Sequence, residues 1–435
     1  IPCIFFLPKG EFIPALILWT LLGLNMSVGP FLFRAIMADV ADHDHVETGQ
    51  ARAGVYFSLL ALTNKLGYSC AIFFSYALLS YIGFNGKGDN SPETISSMML
   101  IYVVPPTLIS LGIALVMLAV GITCVGEFHY LHHQPGGRPY DDPNELTWQV
   151  LRAASDVGIR VVMLEVLYLR AGHDQPPLPE QRRFCDADVD AYLRRLDTLR
   201  GEGVAVGVAP HSVRAAPREA LRELAAYANQ HQLPLHMHVS EQPQENAECQ
   251  AEHACSPVAL LAASGCLERP GGFTAVHAIH LEAADFAALA GHNVCACPTT
   301  EADLGDGIIP VADHLRHGVH LALGSDSNAV IDLVQEARLL EMHERLRTRS
   351  RLCLADADGQ VGRPLLAIAT RGGARSLGRA ELGELRVGAP FDACTVDLGH
   401  PSLAHLDPAD ALDALLLSGT AAPIDRVFVG GVRRL

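Results

Sequence analysis

Residues 234–241 read PLHMHVSE. A short apolar run carries His236 and His238 at alternate positions and closes on Glu241. Side chains of a strand alternate between two faces, so the two histidines share one face. His238 lies nearer the C-terminal end, with Glu241 just beyond it. A metal ligand and a proton-carrying carboxylate look like this at the mouth of a β/α barrel, the end where such folds carry their chemistry. His236, deeper in the same strand, is expected to be packed. One histidine does not hold a metal, so the pattern sends the search to the other strands.

Six more runs have the same texture: TCVGEFHY (123–130), RVVMLEVLY (160–168), GVAVGVAPHS (203–212), FTAVHAIHL (273–281), NVCACPT (293–299) and HLALGSDS (320–327). Helical patterns separate them, such as 186–203 and 216–232. Regular alternation of this kind argues for parallel βα units. Polar residues collect at the strand ends: His129, His211, His238 with Glu241, His277 and Asp326. A doubly wound open sheet is the competing arrangement, but it explains less well why almost every strand ends in such a side chain. Seven strands are visible where a closed barrel has eight. Beyond residue 386, RVGAPFDACTVDL and DRVFVGG predict short strands of a small β-sandwich.

His238, His277 and Asp326 at neighbouring barrel positions suit a divalent metal with an open position for water. Such a metal lowers the pKa of bound water from about 16 towards 7. Asp326 can bind metal and accept the water's proton, Glu241 can pass it to a leaving nitrogen, and His277 can polarise the substrate. Each residue taken singly has a plainer reading as a satisfied polar group. Arg214 by itself would read as a solvated residue at a helix start, His280 as packing, and His132 and His133 as surface.

The chain has 435 residues and a net charge of −16. That charge argues against nucleic acid, whose phosphates need a basic face, and leaves room for a small anionic substrate held by one or two arginines. Eleven cysteines occur without a CxxC pair, as expected of free thiols in a reducing compartment. Near residue 120 the composition changes sharply. Before it stand three apolar stretches, 12–33, 55–83 and 97–120, each long enough to cross a hydrocarbon core of about 30 Å. Buried helices of a soluble core are the alternative for any one of them.

The segment ADVADHDHVETGQ (38–50) and the tetrapeptide NKLG (64–67) resemble the C-terminal half of the glycoside–pentoside–hexuronide:cation symporters of the major facilitator superfamily. The resemblance covers residues 1–117 and implies the last three of twelve helices. Three helices do not build a transport path, which lies between two six-helix halves. It also implies membrane attachment through residues 12–120, with the remainder of the chain on the cytoplasmic side.

From residue 118 onward, GEFHYLHHQPGGRPYDDPNEL (126–146), APHSVRA (209–215), HMHVSEQ (236–242), CPTTEADLGDGI (297–308) and GSDSNAVIDL (324–333) resemble the amidohydrolase superfamily, and within it the formimidoylglutamate deiminases. The resemblance implies hydrolysis of N-formimino-L-glutamate to N-formyl-L-glutamate and ammonia. It implies one zinc ion, with His238 and Asp326 as metal ligands. Glu241, His277 and Asp326 would be catalytic, while Tyr130, His211 and Arg214 would bind substrate. Arg214 has independent support, because a guanidinium matches a carboxylate bidentately. A homodimer through the barrel is an open assembly.

In these deiminases the first barrel strand ends in His-x-His and supplies two further ligands. Its place, upstream of residue 118, is taken by the symporter-like segment. His43-x-His45 has the spacing but lies in the acidic loop that the symporter resemblance already accounts for. The expected fold is therefore α/β: an incomplete TIM (β/α)8 barrel lacking its first strand (121–380), a partial β-sandwich (381–435), and a preceding three-helix all-α transmembrane segment (1–120). Structural zinc sites contribute roughly 10–16 kcal/mol, and losing two of four ligands removes on the order of half. The expectation is weak zinc binding and impaired turnover in a chimera of two proteins, with a symporter fragment or an inactive hybrid as the alternatives.

Overall fold

The computed structural model describes residues 115–435 apart from Pro135, Asp174, Ala329, His405 and Gly419, together with Ser91 and Thr94. The first two predicted membrane spans, most of the third, and His43 and His45 lie outside the described residues. Among the described residues no helix is long and apolar enough to cross a membrane. The end of the third predicted span is described. Residues 115–119 are helical, and Leu118 is buried with Ile122, Ala154, Val157 and Val427. That end therefore packs into the core of the unit that follows, which comprises residues 113–435.

All seven predicted barrel strands form: β1 (Cys124–His129), β2 (Arg160–Leu167), β3 (Val206–Pro210), β4 (Leu235–Val239), β5 (Phe273–His277), β6 (Asn293–Ala296) and β7 (His320–Leu323). They make one parallel sheet in sequence order, β1 to β7. Each crossover places a helix outside the sheet. The helix Val189–Gly201 is capped by Asp188, whose carboxylate accepts from the Ala191 amide at 2.7 Å. The helix Arg218–His231 buries Leu221, Leu224, Ala225 and Ala228, the 3–4–7 spacing of one apolar face.

The sheet curls as a barrel wall does. Phe128 on β1 lies 5.0 Å, ring to ring, from His238 on β4. Three strand spacings in a flat sheet would separate them by about 14 Å. β1 and β7 remain terminal strands and do not pair with each other. The residues in which a first barrel strand would lie, upstream of 115, fall almost entirely outside the described residues. A short helical segment, 368–376, blocks the lower end. His236 Nε2 donates to the Ser376 carbonyl at 2.7 Å, which makes His236 a packing residue as expected. Gly372 in this segment is set against the Leu321 carbonyl so closely that a side chain there would collide with backbone.

The C-terminal part carries the short strands expected of it. β8 (Ala393–Val396), β9 (Ile424–Val429) and β10 (Val432–Arg433) form a three-stranded antiparallel sheet, order β10-β9-β8. It also belongs to the same compact unit as the barrel wall, because Val427 and Val429 share a core with Leu118 and Ile159.

Candidate active site

The C-terminal ends of the strands converge on one cluster. His277, last residue of β5, is fully buried. Its Nδ1 faces Glu301 Oε1 at 3.3 Å. Its Nε2 is 3.7 Å from Glu241 Oε1 and 3.6 Å from Asp326 Oδ2, and has no hydrogen-bond partner. Burial would lower the pKa of this imidazole, but the Glu301 hydrogen bond and the charges of Glu301, Glu241 and Asp326 outweigh it and push it up to about 9. Glu241 and Asp326 are both raised, chiefly by burial. Asp326, at the unpaired β7 side, keeps 28% of its side chain exposed.

The backbone is held in unusual conformations at these same positions. Ser240, His277, Ala278 and Asp326 all have positive φ, between 45° and 70°. Such residues cost roughly 1–3 kcal/mol each and collect where function over-determines the backbone.

His238 stands beside this cluster, its ring 5.5 Å from that of His277. His238 Nδ1 lies 2.9 Å from the His211 carbonyl oxygen. A carbonyl only accepts, so Nδ1 carries the proton and Nε2 presents a lone pair, the tautomer a metal requires. Burial, then the neighbouring His211 and His277, holds its pKa well below the ordinary value. The His211 ring touches His238, Tyr168 and Tyr130 at 4.9, 4.9 and 5.7 Å. Its pKa falls to about 3 through burial and then Arg214. Burial, followed by the negative charges of Asp326 and Glu241, raises the Tyr130 hydroxyl. Arg214 Nη2 is 3.5 Å from Glu241 Oε2, and its Nε is buried without a hydrogen-bond partner. Tyr130, His211, Arg214, His238, Glu241, His277 and Asp326 therefore share one neighbourhood.

The residues fit a divalent cation in part. His277, Cys297 and Asp326 each offer a ligand atom, all within 4.8 Å of one another. His238 is not in that trio, although its free Nε2 suits a ligand. Cys297 is a buried free thiol, as the sequence leads one to expect of its cysteines.

The sequence model of the Amidohydrolase family matches residues 94–434. The chain belongs to that family. The model described as MFS/sugar transport protein matches residues 2–123, so both resemblances are supported, and the two matches overlap. A formimidoylglutamate deiminase of Pseudomonas aeruginosa is 39% identical over 323 residues, which cover 72% of this chain and 70% of the relative. An 8-oxoguanine deaminase of the same organism is 32% identical over 340 residues, 73% and 69% of the two chains. The crystal structure of an amidohydrolase from Brucella melitensis superposes with a TM-score of 0.69 at 31% identity, covering 83% of this chain and 81% of that one. These relatives put this amidohydrolase among hydrolases acting on C–N bonds.

Several residues of this amidohydrolase escaped the sequence reading. Glu301, in the helix Pro298–Leu304, is 1% exposed, and its Oε1 accepts from the Cys297 amide at 2.8 Å as well as facing His277. Glu245 accepts from the Ser240 and Glu241 amides at 3.1 and 3.2 Å and so fixes the turn that carries Glu241. Both stand in acidic motifs that look solvated in one dimension. His132 and His133 are buried, not surface. Their Nε2 atoms donate at 2.8 Å to the Val166 and Cys185 carbonyls. His280 is packing, as expected, with Nε2 2.7 Å from the Asp306 carbonyl.

Proposed function

We propose that this site is that of a formimidoylglutamate deiminase, converting N-formimino-L-glutamate and water to N-formyl-L-glutamate and ammonia, with impaired turnover in this chain. The observation that carries the reaction is the convergence of Glu241 and Asp326 on the unpartnered Nε2 of His277, within 3.7 Å. The relative named for this reaction supports the substrate.

Zinc held by His238 and Asp326 would supply Lewis acidity, making a water in the pocket nucleophilic at neutral pH. Asp326 takes the water's proton. Glu241, its pKa raised by burial, carries a proton to the departing nitrogen, which leaves as ammonia. His277, with its pKa near 9, is positively charged at neutral pH and polarises the formimino group. Arg214 donates to a substrate carboxylate through its unfilled N–H groups, while Tyr130 and His211 form the adjoining wall. Proton acceptance by one carboxylate and donation by the other, both with pKa values raised by burial, is sound acid–base chemistry.

The impairment follows from ligand number. His238 and Asp326 provide two protein ligands, and the strand that would add His-x-His is replaced by symporter-like sequence. The match to a sugar transport family at residues 2–123 is the one observation that favours membrane attachment of the chain. A homodimer through the barrel would cover its unpaired strands.

Calorimetry and ammonia release test the reading together. Formiminoglutamate is expected to bind the full chain, to bind about tenfold or more weakly to Arg214→Ala, and to release ammonia slowly with added zinc. No binding, or preference for 8-oxoguanine, overturns the substrate. One tightly held zinc per chain with rapid turnover overturns the impairment.

A further inference from the structure

We propose that Arg170 is a positioning residue for substrate binding, and that it sets the Arg214 guanidinium by bracing the turn beneath it against the helix that begins beside Glu241. This role deepens the reading above and rests on its assignment of Arg214 to a substrate carboxylate. Arg214 itself is loosely tied. Its Nε is buried without a hydrogen-bond partner, and its Nη2 lies 3.5 Å from Glu241 Oε2.

Arg214 stands in a turn after β3, not on a strand or helix. The turn's own hydrogen bonds use the Ser212 carbonyl, which accepts from the Ala215 and Ala216 amides at 3.1 and 3.0 Å. The next two carbonyls are taken by Arg170, three residues beyond the end of β2. Its Nη2 donates to Val213 at 3.0 Å and its Nε to Arg214 at 2.9 Å. Val213 and Ala215 are buried, so carbonyls in this turn need a partner from the protein.

The same guanidinium grips Glu252 bidentately, Nη1 to Oε1 at 2.8 Å and Nη2 to Oε2 at 3.0 Å. Only 13% of either side chain is exposed, so salt screens the pair little. Burial would raise the pKa of Glu252, but the hydrogen bond and charge of Arg170, with His173 and His253 beside it, hold it below the ordinary value. Glu252 lies at the end of the helix Pro243–His253. Glu245 of that helix accepts from the Ser240 and Glu241 amides. A continuous path therefore joins the Arg214 backbone to Arg170, Glu252, Glu245 and the Glu241 amide. It fixes the spacing between the group that takes a substrate carboxylate and the group that serves the departing nitrogen. A lysine ammonium lacks the planar fork that reaches two carbonyls and a carboxylate together.

Calorimetry of N-formimino-L-glutamate with the full-length chain tests this role. Arg170→Met should weaken binding by about three- to tenfold. In an Arg214→Ala background the same substitution should change affinity by less than about twofold, because the residue it acts through is gone. Equal weakening in both backgrounds makes Arg170 merely structural and overturns the proposal, as does unchanged affinity in the first. Arg170→Lys keeps the charge opposite Glu252 without the fork, and carries the test if Arg170→Met does not fold. It should bind about threefold or more weakly, and affinity equal to that of the unmodified chain overturns the proposal. Binding that responds to Arg214→Ala but not to changes at Arg170 sinks this role alone. An unmodified chain that binds no formiminoglutamate sinks the substrate reading with it.

Discussion

Two clusters of ionisable side chains lie near the C-terminal ends of strands, and they are built differently. Around Glu165, on β2, every carboxylate oxygen is engaged. Thr147 donates at 2.9 Å and Arg195 Nη1 at 2.6 Å, while the same guanidinium grips Asp186 at 2.8 and 2.9 Å. Burial alone would raise the pKa of Glu165, yet Arg195 holds it below the ordinary value. Around His277 the separations run from 3.3 to 3.7 Å, too long for strong hydrogen bonds, and the carboxylates of Glu241 and Asp326 are raised instead. The first cluster is closed and braces β2 against the helix Val189–Gly201. The second is held apart, as a site that admits something between its members must be.

The largest effect is expected where the brace is cut. Arg195→Met leaves Glu165 and Asp186 buried without their cation, and should cost about 3–5 kcal/mol in urea unfolding. A loss below about 1 kcal/mol would erase the distinction between the clusters.

Glu301→Gln probes the other cluster. It removes the charge behind His277, so the imidazole should titrate well below its present value of about 9. Histidine NMR resonances followed against pH would show it. The linkage has a definite sign. A raised histidine pKa contributes stability that is fully present below pH 6.5 and lost as pH rises through 9, and Glu301→Gln should remove much of that slope, on the order of 3 kcal/mol. An unchanged titration would mean that Glu301 does not hold the ring.

Glu245 has the opposite chemical character and the same sign. Burial, partly opposed by Arg214 and by the two amides it accepts from, pushes its pKa up to about 7. The folded protein binds this proton more tightly than the unfolded chain. Stability should therefore be greatest below pH 4.5 and fall as pH rises towards 7. Glu245→Gln is expected to flatten that fall, by roughly 1–2 kcal/mol, in melts at pH 5 and 7. An equally steep fall in the variant would assign the effect elsewhere, for example to Glu336, also raised to about 7.

The smallest effect belongs to an exposed pair. Arg363 lies 3.1 Å from Asp358, with 58% and 75% of the side chains exposed. Arg363→Ala should change stability by less than about 0.5 kcal/mol. A larger loss would show that solvent exposure is not what separates bracing pairs from idle ones in this protein.

How legible these features were in one dimension depended on which neighbours decide them. The strand positions were accessible because apolar β-branched runs report local burial. RVVMLEVLY contains β2, and HLALGSDS contains β7 with the turn that carries Asp326. Helix 186–203 appeared as Val189–Gly201, shortened at the start by the Asp188 cap. The short C-terminal strands were accessible too: RVGAPFDACTVDL contains β8 and DRVFVGG most of β9. His132 and His133 looked like loop surface because their partners, Val166 and Cys185, stand 34 and 52 residues away.

By itself the chain's pattern of residues determined the parallel α/β architecture, the seven described strands and the side chains at their ends. Those follow from periodicity and from residue type, which are local. Only the tertiary structure decided that Cys297 and Glu301 join His277 and Asp326, that His277 keeps an unpartnered nitrogen, and that Arg195 closes a different cluster. Those facts are set by the curl of the sheet, which brings side chains two and three strands apart within a few ångströms, and no sequence spacing encodes that distance.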